Sequence, residues 1–218
     1  MATFYANVPV DMTGKSATGE VGYVTQATGN LIQIQYSASF ENIGGSFGYN
    51  SNSVPYGYVY SDVAYDYYGN VLFQWTADSG VYDATDLYSL ARYGTAKQLL
   101  SYMFYLDDEI YGSQYKDKLV GYNGHDYIDG WTGNDQLWGG KGYDTFFFAR
   151  HDGKDTIRDF SRKQDTIMLD SSLASGMRDV RQAAEKYKKG VVLDFGSDEV
   201  RIEGLKMKQL NKVDFDFV

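Results

Sequence analysis

A nine-residue beat from about Asp108 to Phe147 constrains the fold of this chain more than any other feature. From Gly112 the blocks read GSQYKDKLV, GYNGHDYID, GWTGNDQLW and GGKGYDTFF. Glycine opens each block, at Gly112, Gly121, Gly130 and Gly139. Aspartate stands sixth, at Asp117, Asp126, Asp135 and Asp144, and a large apolar residue eighth, at Leu119, Ile128, Leu137 and Phe146. Asp108 and Ile110 carry the phase one block earlier. Such a block suits a tight turn followed by a short strand. Glycine gives the turn its left-handed backbone and close approach at little steric cost. The strand turns one side chain inward, so one apolar residue per block suffices for a thin core.

Two blocks on opposite sides complete one coil of a parallel β-roll, so loops stack every second block. Asp108, Asp126 and Asp144 then share one side, and Asp117 and Asp135 the other. Stacked carboxylates repel unless a cation sits among them. Calcium meets that need, taking six to eight oxygens at about 2.3–2.6 Å from carboxylates and carbonyls, whereas magnesium demands a stricter octahedron. A metal-free solenoid with turn aspartates would leave the aspartate period unexplained. In the first block Tyr115 replaces the second turn glycine and lysines flank Asp117, so that loop is expected to bind poorly. The best stacked pair is expected to be Gly121–Asp126 with Gly139–Asp144. The Gly130–Asp135 loop is intact, but its stacking partner is either the degenerate block or the irregular stretch after Phe148.

The blocks resemble the G-G-x-G-x-D-x-U-x nonapeptide of the RTX (repeats-in-toxin) family, where U is a large apolar residue. The resemblance implies calcium as cofactor. The candidate ligands are Gly121, Asn123, Asp126, Gly130, Thr132, Asp135, Gly139, Lys141 and Asp144, together with Asp108, Asp117 and Asp155. It also implies an extracellular protein of a Gram-negative bacterium that leaves through type I secretion machinery by an uncleaved C-terminal signal. The N-terminus, MATFYANVPVDMTGK, has neither a basic start nor a continuous apolar stretch, so no cleaved signal peptide is expected. No segment approaches the roughly 20 apolar residues of a membrane span.

Composition excludes several chemistries. The net charge of −9 speaks against nucleic acid as a partner. It also suits a chain whose carboxylates hold it unfolded until calcium arrives. Without cysteine there is no disulfide, thiolate zinc site or cysteine nucleophile, and two histidines cannot build a three-histidine zinc site. His125, within a repeat loop, and His151, in a polar turn, are both expected to be exposed.

Beyond the repeats, FARHDGKDTIRDFSRKQDTIMLD resembles the segment that follows them in serralysin-type C-terminal domains. Asp155 and Ile157 read as a last repeat displaced by two residues, and Asp159 and Asp165 as supplementary ligands or turn residues. Ser175 is expected to cap a helix carrying Met177, Val180, Ala183, Ala184 and Tyr187, stopped by Gly190. Val191, Leu193 and Phe195, a Gly196-Ser197-Asp198 turn, then Val200 and Ile202 spell a hairpin, and VDFDFV a final strand. Helix and hairpin would cover the open end of the roll, as solenoids require.

Residues 1–85 differ in character, being rich in Tyr, Gly, Ser and Asn. Alternating stretches at 31–36, 56–60 and 71–75, separated by turn signals, predict a small antiparallel β domain. Leu87, Leu90, Ala91, Leu99, Leu100 and Met103 have helical spacing, so residues 86–106 are expected to hold a capping helix, from about 86 to 104. The whole reads as a mainly β protein: a β-roll at 107–170, then a cap with the secretion signal at 171–218. The cluster Tyr56, Tyr58, Tyr60, Tyr65, Tyr67 and Tyr68 is either ordinary strand composition or a flat aromatic platform for a sugar or protein surface. No catalytic residue is assigned. The chain has no HExxH zinc helix and is read as lacking the GxSxG elbow of the family's lipases. Three functions stay open: a calcium-folded binding or adhesion protein acting on a host surface or matrix, a polysaccharide-binding module, or a polysaccharide-active enzyme.

Overall fold

The inward apolar position of every block builds the roll. In the computed structural model, residues 96–218 are described throughout, and before them the strands at 2–6, 23–27, 31–35, 39–49, 55–66, 71–77 and 82–83. Each block ends in a short strand: β8 (Glu109–Tyr111), β9 (Lys118–Val120), β10 (Tyr127–Asp129), β11 (Gln136–Trp138) and β12 (Thr145–Phe148). Strands from alternate blocks pair in parallel. Ile128 stands opposite Ile110 on one side and Phe146 on the other, and Leu137 opposite Leu119. All five are fully buried. Each stabilises the roll by about 2–3 kcal/mol through apolar burial.

Two further strands continue the coils after the regular repeat ends. β13 (Lys154–Ile157) pairs in parallel with β11, bringing Ile157 beside Leu137, and β14 (Thr166–Leu169) pairs with β12, bringing Ile167 beside Phe146. The displaced repeat at Asp155 and Ile157 thus stacks in register despite its two extra residues.

The C-terminal cap extends both sheets rather than lying across them. β16 (Gly190–Asp194) and β17 (Glu199–Glu203) form the expected hairpin, and β17 pairs in parallel with β13. The last strand, β18 (Asp214–Phe217), pairs in parallel with β14. The helix α2 (Met177–Ala183) is shorter than its spacing suggests. Its cap is Gly176 rather than Ser175, and the Asp179 carboxylate accepts the Ser175 N–H and O–H, both at 2.9 Å. At Ala184 the backbone becomes extended, and β15 (Ala184–Tyr187) pairs antiparallel with β16. Ala184 and Tyr187 therefore belong to a strand, because pairing with the hairpin edge overrides a weak helical pattern. A 3-10 helix, Met207–Lys212, was not apparent from the periodicity.

Toward the N-terminus, β1 (Ala2–Ala6), β2 (Tyr23–Ala27), β3 (Leu31–Gln35), β4 (Ser39–Tyr49), β5 (Pro55–Asp66) and β6 (Val71–Ala77) form an antiparallel sheet in the order β1-β6-β5-β4-β3-β2, with the short β7 (Tyr82–Asp83) against β5. β1 also pairs in parallel with β8, Phe4 opposite Ile110, so the N-terminal sheet and one sheet of the roll are continuous. The helix α1 spans Ala96–Met103, within the expected 86–104; residues 86–95 lie outside the described residues. Phe104, just after α1, is buried in the roll core, with Leu100, Tyr102 and Met103 packed against it.

Candidate metal centre

Each loop aspartate carries two oxygens with different neighbours. One oxygen accepts the backbone N–H of the aspartate one coil before. Asp108 N–H donates to Asp126 Oδ1 at 2.9 Å and Asp126 N–H to Asp144 Oδ1 at 3.1 Å. On the other side, Asp117 N–H donates to Asp135 Oδ1 at 2.8 Å, and Asp135 N–H to Asp155 Oδ1 at 2.9 Å. Two aspartate ladders therefore run the length of the roll, divided between its sides in the phase read from the sequence. Asp165 extends the first ladder, accepting Asp144 N–H at 3.4 Å.

The second oxygen behaves differently from block to block. Oδ2 of Asp126, Asp135 and Asp144 is buried and receives no hydrogen bond. Such an orphaned acceptor costs on the order of 1–3 kcal/mol, more when charged. In the degenerate first block Asp117 Oδ2 is already occupied, accepting Ser113 N–H at 2.6 Å and Ser113 O–H at 2.8 Å. Asp165 Oδ2 is likewise taken, by Ser161 N–H at 2.6 Å.

The block-opening glycines face these orphaned oxygens. A β-carbon at Gly121 would lie 2.5 Å from the Gly139 carbonyl oxygen and closer still to Asp126 Oδ2. At Gly130 it would lie 2.6 Å from Asp135 Oδ2, and at Gly139 it would collide with Asp144 Oδ2. Carboxylate and carbonyl oxygens thus line the space that a side chain would fill. Among the described residues no three Asp, Glu or His side chains converge as a metal-holding group. Carboxylates alone would not complete a calcium shell, and backbone carbonyls would supply the rest. An all-oxygen set with a buried, donor-free carboxylate oxygen in each of the loops of Asp126, Asp135 and Asp144 suits that hard cation.

The electrostatics agree. Burial, then the neighbouring Asp144, pushes the Asp126 carboxyl up to about 9. Burial likewise lifts Asp155 to about 8, Asp135 to about 7 and Asp144 to about 6. Protons occupy these carboxyls where no cation balances them.

The remaining predicted residues fall as follows. Asn123 bridges in parallel to Lys141 across one coil, and the Lys141 carbonyl accepts Gly124 N–H at 3.0 Å. Thr132 lies exposed in its loop. Asp159 takes the N–H groups of Gly139 and Gly140, at 3.0 and 3.1 Å, and so works as a turn acceptor in the loop of Asp144. His125 and His151 are exposed, as expected. His125 also belongs to an outer ladder: Asp107 Oδ1 accepts His125 N–H at 2.7 Å and His125 Nδ1 accepts Tyr143 N–H at 2.8 Å. Asn134 plays the same part on the other side, accepting Lys154 N–H at 3.0 Å.

Asp198 was missed. Its Oδ1 accepts the N–H groups of His151 and Gly153, at 3.1 and 3.2 Å, from a hairpin turn far along the chain. No period announces it. One sequence reading is corrected: Gly44-Gly45-Ser46-Phe47-Gly48 does spell GxSxG. It lies inside β4, paired to β5 along its length, and not at the strand-to-helix turn that a nucleophile elbow requires.

Residues 107–146 match the RTX calcium-binding nonapeptide repeat, in four copies. No curated protein matches the chain. Among solved structures it is similar to a subunit of the Azotobacter vinelandii mannuronan C5-epimerase, at 27% identity over 51% of this chain and 76% of that one, with a TM-score of 0.32. It is also similar to the extracellular lipase of Serratia marcescens, at 16% identity over 94% of this chain and 32% of the lipase, with a TM-score of 0.36.

Proposed function

We propose that this chain is a secreted protein whose roll folds on calcium outside the cell and there holds residues 1–85 as a binding or adhesion module for a surface or matrix. The observation that carries the reading is the trio of buried, donor-free oxygens on Asp126, Asp135 and Asp144, each facing a block-opening glycine. Buried charge of that kind opposes folding until a cation arrives, so metal binding and folding become one event. The ions would be held by these carboxylates and by loop carbonyls, Gly139 among them. A chain disordered where calcium is scarce suits export through a narrow channel. Extracellular calcium modules bind at about 10⁻⁴–10⁻³ M, so the fold would form on release. The resemblance of residues 148–170 to serralysin-type C-terminal domains supports type I export, with the signal in 171–218. The two sheets being continuous through β1 and β8 supports a further step, in which ordering the roll fixes the N-terminal sheet.

The test is a calcium titration followed by far-UV circular dichroism, with magnesium in parallel. A cooperative gain of β signal with calcium alone is expected. A chain fully folded in chelator, indifferent to calcium, overturns the reading.

A further inference from the structure

The C-terminal cap gathers cations at one end of an otherwise acidic molecule. The chain has 20 Lys and Arg against 29 Asp and Glu. Yet Lys186, Lys188, Lys189, Lys206, Lys208 and Lys212 all lie exposed on the cap. Three contacts bring their segments together. Gly204 N–H donates to the Lys189 carbonyl at 2.8 Å, tying the β15–β16 turn to the stretch that leads into the 3-10 helix. β15 packs against that 3-10 helix. Arg181 Nε donates to Asn211 Oδ1 at 3.0 Å, adding a further cation beside Lys212. Two anions lie beside these lysines: Glu185 is exposed, while Glu203 is engaged by Arg158 at 2.6 Å and by Lys189 at 3.3 Å. Of the cap's other acidic residues, Asp194 and Glu199 lie at the opposite end of the hairpin, and Asp214 and Asp216 on β18 in the other sheet. Among the described residues no ion pair involves Lys186, Lys188, Lys206, Lys208 or Lys212.

We propose that this lysine-rich end of the cap docks on an anionic lipid surface. Charge complementarity names an anionic partner, and the exposed apolar Met207 among the lysines selects a lipid surface over a soluble polyanion. The lysines sit on β15, on the turn after it and on the 3-10 helix that packs against β15, so they share one edge of the cap. Met207, between Lys206 and Lys208, is 41% exposed, an apolar side chain set on that edge where it would enter the interface. Lysine supplies mobile point charges suited to a diffuse field, with stems that lie along apolar surface while the heads stay wet. In strand order the coils of β13, β11 and β9 run away from β15, and charges more than about 8 Å from a surface are largely screened at physiological salt. The proposal goes beyond calcium-dependent folding, and its controls keep the two separable.

The experiment is co-sedimentation of the full chain, in millimolar calcium, with vesicles of phosphatidylcholine alone or with one third phosphatidylglycerol. Hyaluronan, an acidic polymer, forms a parallel arm. Binding to the anionic vesicles is expected, weakening steeply with added salt. Lys186→Gln, Lys188→Gln, Lys206→Gln and Lys208→Gln together should lower it roughly hundredfold or more, at near a factor of five per lysine. The same four positions changed to Arg should retain it. Calcium-induced circular dichroism of both variants reports folding separately, so a folding failure cannot pass for lost binding. Equal binding to neutral and anionic vesicles, an unchanged quadruple Gln variant, or binding to hyaluronan without vesicles would each overturn the assignment.

Discussion

Replacing Asp126 by Asn should move the calcium-free and calcium-bound proteins in opposite directions. The amide keeps an oxygen where Oδ1 accepts Asp108 N–H, and being neutral it needs neither a proton nor a cation at the buried Oδ2 position. With the native carboxyl near 9, against an ordinary 3.8, taking up a proton on folding at pH 7 costs the calcium-free fold about 4 kcal/mol, at about 1.4 kcal/mol per pH unit. The amide N–H₂ needs an acceptor, and an unmet one returns about 1 kcal/mol. Asp126→Asn should therefore stabilise the calcium-free fold by about 3 kcal/mol, a large share of a domain's usual 5–15 kcal/mol. In calcium the sign reverses. A carboxylate ligand has become a weak one, and the calcium midpoint should rise roughly tenfold or more. The assay is far-UV circular dichroism, first against an osmolyte in calcium-stripped buffer at pH 7, then against calcium. An ordinary turn aspartate would lose stability in both conditions. A calcium-free fold weakened by the substitution, or an unmoved calcium midpoint, refutes the assignment of Asp126 Oδ2 to the ion.

Acid should substitute for calcium. The carboxyls of Asp126, Asp155, Asp135 and Asp144 are raised in the fold, so the stability tied to their protonation is fully present below about pH 4 and is lost as pH rises through 6 to 9. Calcium-stripped protein should gain β signal on acidification, and calcium binding at neutral pH should release protons into a weakly buffered solution; a calcium-free fold that strengthens with rising pH would contradict this. Trp131→Gly should stabilise the calcium-loaded roll by about 0.5–1 kcal/mol in urea denaturation, since Trp131 sits at φ 62 with its side chain 57% exposed. Gly142→Ala should cost several kcal/mol at any calcium concentration, because φ is 141 and a β-carbon would strike the Gly124 carbonyl. Ending the chain at residue 170 should abolish calcium-driven folding of the repeats, read by the same dichroism titration.

The roll was legible because its signal repeats. One inward residue per block, at Ile110, Leu119, Ile128, Leu137 and Phe146, leaves no freedom of register, since a slip of one residue would expose the whole core. Aspartate phase was legible for the same reason, down to the displaced Asp155. Where the chain stops repeating, local pattern carried less. Ala184 and Tyr187 fit a helical face, but the free edge of β16 outcompeted it. Asp198 gave no signal because its role depends on the hairpin docking beside β13, a contact some 45 residues away. The pairing of β1 with β8 joins residues more than a hundred apart, and no local spacing encodes it.

The bonds between coils explain why the cap matters to the roll. In the two carboxylate ladders each loop aspartate presents its N–H to a carboxylate of the next coil. Asp108 depends on Asp126, and Asp126 on Asp144; Asp117 depends on Asp135, and Asp135 on Asp155. At the end of the series the acceptors come from outside the regular repeats. Asp165 closes one side, and Asp198, in the β16–β17 turn, takes the N–H groups of His151 and Gly153 on the other. Any coil that forms without its successor leaves buried donors unmet and a carboxylate unoriented. The backbone adds the reverse dependence, since Tyr127, Gln136, Thr145 and Thr156 donate to the carbonyls of Asp108, Asp117, Asp126 and Asp135, so each coil needs both its neighbours. The cap is therefore needed at the C-terminal edge: without it His151 and Gly153 lose the Asp198 carboxylate, and β13 and β14 lose the strands β17 and β18 that pair with them.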